Sequence, residues 1–182
     1  MKKFLFLLLL LPVFCSAQRF RNDVLEVSQD TIKCSYWQVL QRTTARNPMT
    51  TFFRIANINE NYFLQLKVML GGASFVVPRS AELELEFDNN DYITLFNTEY
   101  KKSCKGCGAR NFEKDDLQGV TLSFPISQAH MDKLLRKYLY HIRLHLDQNL
   151  PGATINENRS EDFMDALWLV YKASQYKSNS IY

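Results

Sequence analysis

The sequence predicts an α+β fold, mainly an antiparallel β-sheet arranged as a sandwich or partial barrel and covered by two helices. Three observations carry that expectation. Apolar residues alternate with polar ones through most of the chain: Leu64, Leu66, Val68 and Leu70 around Gln65 and Lys67; Leu83, Leu85 and Phe87 around Glu82, Glu84 and Glu86; Val120, Leu122, Phe124 and Ile126 around Thr121 and Ser123. A period of two places alternate side chains on one face of a strand, and clean alternation suits antiparallel sheets with one wet face. Short turn signals separate these runs, and two segments change to a helical period.

In chain order, the first element is a leader. Lys2 and Lys3 precede an apolar run from Phe4 to Phe14, and Cys15-Ser16-Ala17 offers a small-x-small cleavage site ahead of Gln18. This pattern predicts a signal peptide over 1–17 and one β-rich domain over 18–182. The apolar run of about eleven residues falls short of the roughly 20 that span a bilayer as a helix. Lipidation at Cys15 is a minor alternative, since Val13 and bulky Phe14 precede it. No later segment is long and apolar enough to cross a membrane. The chain is 46% apolar and 13% aromatic, a composition that excludes disorder for its bulk. Loss of Lys2 and Lys3 lowers the formal charge from +3 to +1, which gives no electrostatic case for nucleic acid.

Weaker strands are expected at 31–40, 51–58, 75–77 and 92–96. Asn89-Asn90 and the 57–61 segment read as tight turns, and Gly71-Gly72 as a break. Ser127 caps a helix over 127–138 with Met131, Leu134, Leu135 and Tyr138 on one face, and Ile126 and Met131 form a hydrophobic staple. A second helix is expected over 160–175, capped from Asn158 or Ser160. Its core stripe is Phe163, Leu167, Val170 and Tyr171, and Trp168 beside it is either an ordinary surface ring or a partner contact. The 140–146 segment suits strand or helix, and its strict alternation up to the Pro151-Gly152 break favours strand. On a strand, His141 and His145 lie roughly 13 Å apart and cannot share a metal ion.

Three cysteines follow the leader. Cys34 shares a face with Ile32 and Tyr36 and reads as buried packing. Cys104-Lys105-Gly106-Cys107 reads first as a local disulfide. The alternatives are half of a metal site, or a redox pair activated by Lys101, Lys102, Lys105 and Arg110. The surrounding stretch, 97–119, lacks a clear period and is longer than an ordinary connection, a length that suits a binding element and equally a solvated hairpin excursion pinned by the disulfide. Its basic first half is followed by Glu113, Asp115 and Asp116. Nucleophile elbows, phosphate loops and dinucleotide fingerprints are all missing from the sequence, and nothing in it calls for a cofactor or a resident metal.

A Lys-Lys leader ending in Ser-Ala-Gln ahead of a small β-rich domain resembles uncharacterised exported proteins of Gram-negative bacteria. The hairpin Leu-x-Leu-x-Phe-Asp-Asn at 83–89, with the strand, helix and Ile-Arg-Leu strand at 120–144, is similar to many small secreted sheets. The resemblance implies a periplasmic or cell-surface location and supplies no catalytic residues. The function expected is non-catalytic: an envelope protein binding a protein or glycan partner through 97–119 (Lys101, Lys102, Cys104, Lys105, Cys107, Arg110), with Trp168 as a further contact. The alternative is thiol-redox or metal chemistry at Cys104 and Cys107.

Overall fold

The structure, a computed structural model, describes residues 25–27, 32–43, 49–72, 74–107, 117–146 and 153–175. The expected leader at 1–17, Arg110, the acidic residues Glu113, Asp115 and Asp116, and the Pro151-Gly152 pair lie outside the described residues. The strands are β1 (Leu25–Val27), β2 (Ile32–Cys34), β3 (Gln38–Thr43), β4 (Met49–Ile58), β5 (Asn61–Leu70), β6 (Val76–Val77), β7 (Glu82–Phe87), β8 (Tyr92–Phe96), β9 (Lys101–Lys102), β10 (Cys104–Lys105), β11 (Gln118–Ile126), β12 (Leu139–Leu144) and β13 (Ala153–Thr154). The helices are α1 (Gln128–Leu134) and α2 (Glu157–Gln175).

Seven strands form the larger sheet in the order β1-β2-β4-β5-β11-β10, with β3 paired to β4 beside β2. Four form a second sheet, β13-β12-β7-β8, and β6 pairs with β9. Every pairing is antiparallel, as the alternation predicts, and the sheets do not close into a barrel. Phe53, Ile55, Leu64, Leu66, Leu122 and Phe124 from the larger sheet share one buried cluster with Leu83, Leu85, Phe87, Ile93 and Leu95 from the smaller. Helix α2 adds Phe163, Leu167 and Val170, with the Phe163 ring 5.1 Å from that of Phe53. Among the described residues, no helix is long and apolar enough to cross a membrane.

Three expected elements change shape. Helix α1 starts where Ser127 caps it, its hydroxyl accepting from His130 N–H, but stops at Leu134, not 138. Strand β12 begins at Leu139, whose side chain is buried opposite Phe87, and Tyr138 is left 48% exposed. The segment 139–144 is a strand, as its alternation favours, yet a bulge between Leu139 and His141 turns Tyr140 outward, 50% exposed. Helix α2 starts at Glu157, ahead of the expected 160, because Ile155 N–H bonds to Tyr140 O and ties the chain to β12. Asn156 then caps the helix, its Oδ1 accepting from Arg159 N–H at 3.0 Å, in place of Asn158 or Ser160. At the other end of α2, the ammonium of buried Lys33 donates to Ala173 O, meeting both the open carbonyl and the negative end of the helix dipole.

The β4–β5 turn is Asn59-Glu60, with Ile58 opposite Asn61 and both turn residues at positive φ, 49° and 66°. That is the handedness which suits a two-residue hairpin, and it is one that Glu adopts at a cost. Glu60→Gly is expected to raise stability by about 0.5–1 kcal/mol, read as a higher midpoint in chemical denaturation.

In the β7–β8 turn, Asn90 takes φ 59°. Asp91 beside it accepts from Lys133 at 2.7 Å and Lys137 at 2.6 Å, fastening the hairpin to the end of α1. The Lys133 hydrogen bond, then that of Lys137, lowers the Asp91 pKa from 3.8 to about 2. A depressed carboxylate pKa gives stability that is present above the unfolded value and lost as pH falls through the folded one. Wild type should therefore exceed Asp91→Asn in stability at neutral pH. The two should converge as pH falls from about 4 to about 2, as measured by denaturation across that range.

Candidate functional site

Residues 97–107 form a folded clasp where the sequence allows either a binding element or a solvated excursion. Asn97, buried, receives no side-chain freedom: its N–H donates to Ala81 O at 2.9 Å, and its amide nitrogen donates to Pro78 O at 2.9 Å and to Glu99 O. Strand β9 pairs with β6, setting Lys102 opposite Val76 and Lys101 opposite Val77. Buried Ser103 then bonds twice to Phe75, donating its N–H to the carbonyl at 2.9 Å and accepting the Phe75 N–H on its hydroxyl at 2.8 Å. Two-residue strands are too short to display a period, which is why the sequence shows none here.

Strand β10 lies on the edge of the larger sheet, with Cys104 opposite Gly119 and Lys105 opposite Gln118. The chain reverses at Gly106, whose φ of 71° suits glycine. Cys107 N–H returns to Cys104 O at 3.2 Å, and Gly106 N–H bonds Leu117 O at 3.2 Å. Cys104 and Cys107 are joined across this turn, their Cα atoms 5.3 Å apart. The turn rests on the bare backbone of Gly119, where a Cβ would stand 1.7 Å from Cys107 O. Gly119 is a residue that sequence reading missed, since one glycine at the start of an alternating strand looks like any other.

The clasp turns Lys102, Cys104 and Lys105 outward, while Lys101 is half-buried and pairs with Glu99. Two more residues join them: Tyr100, 64% exposed, and Val76, 40% exposed. Alternation places Tyr100 on the same side of β9 as Lys102, across from Val76. Lys105 makes a further interaction of its own within the chain. The clasp is thus a basic and partly aromatic edge whose backbone is fixed by a disulfide, two short ladders and two buried polar side chains.

Trp168 stands apart from it. Helix α2 packs on β2, β3, β4 and β12, whereas β10 is the far edge of the larger sheet. The indole is 39% exposed, edge-on to Tyr171 at 5.9 Å, with the Lys172 ammonium 5.5 Å from its ring centre. Cys34 is buried on β2, as expected, and three strands separate β2 from β10. It therefore does not converge on the disulfide. His141 and His145 point across to the neighbouring strand, 3.8 Å from Glu86 and 3.7 Å from Glu84. Among the described residues, no three His, Cys, Asp or Glu side chains gather as metal ligands. A cavity of about 20 Å³ lies between the sheets, lined by Leu66, Val68, Leu83 and Ile142 among others. It has room for about one water and none for a substrate.

The close approach at Gly119 makes a direct prediction. Gly119→Ala should push the Cys104–Cys107 turn off β11, seen as loss of hydrogen-exchange protection at Gly106 N–H. The rest of the sheet should keep its protection, and overall stability should fall by about 1–3 kcal/mol, the usual cost of overpacking.

No protein family matches this chain, and no curated protein or solved structure is similar to it.

Proposed function

We propose that this is an exported, non-catalytic protein of the cell envelope that binds a protein or glycan partner through the 97–119 segment. The observation that supports this reading is the combination of a locked backbone with outward side chains. Tyr100, Lys102 and Lys105 project from a clasp whose every turn is tied to neighbouring structure. Binding costs less entropy when the contacting backbone is already ordered, and a tyrosine supplies contact area with few torsions to freeze. The leader at 1–17 and the resemblance to exported proteins support the location.

A second reading has one observation in its favour. Cys104 is exposed and stands between Lys102 and Lys105, and positive charge favours a thiolate. The disulfide would then serve as an exchangeable bond, opened by a partner thiol.

Deleting 101–116 would remove two strands, so point changes make the cleaner test. Tyr100→Ala combined with Lys102→Glu and Lys105→Glu should cut crosslinking to envelope components at least tenfold against wild type. Unchanged crosslinking sinks the clasp as a binding element. Intact-mass measurement with alkylation should show a chain starting at Gln18 and a Cys104–Cys107 bond that survives mild reduction. Ready cycling of that bond would move the second reading ahead.

A further inference from the structure

We infer that the outer face of the four-stranded sheet is a binding platform for a neutral oligosaccharide, separate from the clasp and independent of the reading given to it. The face is built by alternation. Leu83, Leu85 and Phe87 point inward on β7, so Glu82, Glu84 and Glu86 point out. Ile93 and Leu95 point inward on β8, so Tyr92, Thr94 and Phe96 point out. Register then sets Tyr92 beside Glu86 and His141, Thr94 beside Glu84 and Arg143, and Phe96 beside Glu82. The bulge in β12 adds Tyr140.

The rings are unusually open: Tyr92 is 60% exposed, Phe96 52% and Tyr140 50%. Tyr92 and Phe96 are four residues apart on one strand, about 13 Å, and two strand spacings, about 10 Å, separate them from β12. They frame a flat patch large enough for a short run of linked sugar rings.

The floor of that patch is polar, and its groups are positioned without being saturated. Arg143 lies 3.7 Å from one oxygen of Glu84, and His145 3.7 Å from the other. His141 Nδ1 lies 3.8 Å from Glu86, is buried beneath the floor and has no hydrogen-bond partner among the described residues, so it steadies Glu86 and does not itself face a ligand. All three contacts are longer than a hydrogen bond, so each carboxylate is oriented by a basic neighbour but keeps lone pairs to offer. Donors and acceptors alternate across a few ångströms, which is what vicinal hydroxyls require. The face carries three carboxylates, Glu82, Glu84 and Glu86, against one guanidinium, Arg143, so its field disfavours an anionic ligand. The flat, carbon-bound faces of sugar rings suit the aromatic frame.

The test is to titrate the protein with short oligosaccharides of glucose, mannose and N-acetylglucosamine, and with oligolysine, following ring and amide NMR signals. One of the sugars is expected to shift the signals of Tyr92, Phe96 and Tyr140 at millimolar concentration. Tyr92→Ala and Phe96→Ala should each weaken that binding about fivefold, the worth of one stacked ring. Both rings are on the surface, so thermal melts should confirm that the variants stay folded. Glu60→Gly, in the β4–β5 turn of the larger sheet, should leave the affinity unchanged. The inference is overturned if no sugar shifts these rings by ~10 mM, beyond ordinary millimolar recognition. Shifts confined to the clasp, or produced by oligolysine alone, overturn it equally.

Discussion

The rest of the structure depends on the register of β5. This strand runs between β4 and β11 and pairs along its whole length with the first, from Asn61 opposite Ile58 to Leu70 opposite Met49. On its other edge it pairs with β11 from Tyr62 opposite Ile126 to Leu70 opposite Gln118. Leu64 thereby meets Ile55 and Phe124, Leu66 meets Phe53 and Leu122, and Val68 meets Thr51 and Val120 on one face, and all of these are buried. A slip of one residue would exchange that face for Gln65 and Lys67, so the core itself holds the register. The two-residue turn at Asn59-Glu60 sets the same register from the end of the hairpin, which is why a strained Glu60 is tolerated there.

The clasp inherits its position from this pairing. Register with β5 places Gly119 opposite Met69 on one side, and β10 then places Cys104 opposite Gly119 on the other. Only at that point is the strand bare enough for the Cys107 carbonyl to lie against it. The disulfide does little for global stability by itself, since a ring this short removes little unfolded-chain entropy. Its effect is local: with Ser103 and Asn97 held from the other side, it fixes where Tyr100, Lys102 and Lys105 point.

How much of this was legible depends on how many residues each feature spans. Strands of six to ten residues, such as β5, β7 and β11, repeat their period often enough to be read directly, and the antiparallel α+β class follows from them. Ser127 was legible as a cap because the residues after it form an apolar stripe. Asn156 was not, because the tie from Ile155 to Tyr140 that starts α2 is a tertiary contact with no local mark. The bulge at Tyr140 was hidden for a related reason, since a single inserted residue leaves the alternation around it apparently intact. In the clasp, the Cys-x-x-Cys spacing favours a disulfide over a metal half-site or a redox pair without deciding among them, whereas the β6–β9 ladder and the need for glycine at 119 depend on distant partners. Trp168 was read correctly as a flanking ring on α2, but only the sheet order shows that it lies away from the clasp.

The two outward surfaces follow from one physical rule applied at different lengths. On the four-stranded sheet, alternation over five or six residues commits every second side chain to the core, and what remains outside is free to vary without cost to packing. Tyr92, Phe96 and Tyr140 are nonetheless large and apolar, at positions where a polar side chain would satisfy the fold equally well. Single exposed rings need no explanation, but three around one polar floor are harder to attribute to packing. The Asp91 link to Lys133 and Lys137 bears on the same surface, because it holds the β7–β8 turn against α1 and so steadies the edge from which Tyr92 projects. The clasp, with strands of only two residues, cannot rely on alternation for rigidity, and in its place stand a covalent bond and two buried polar side chains.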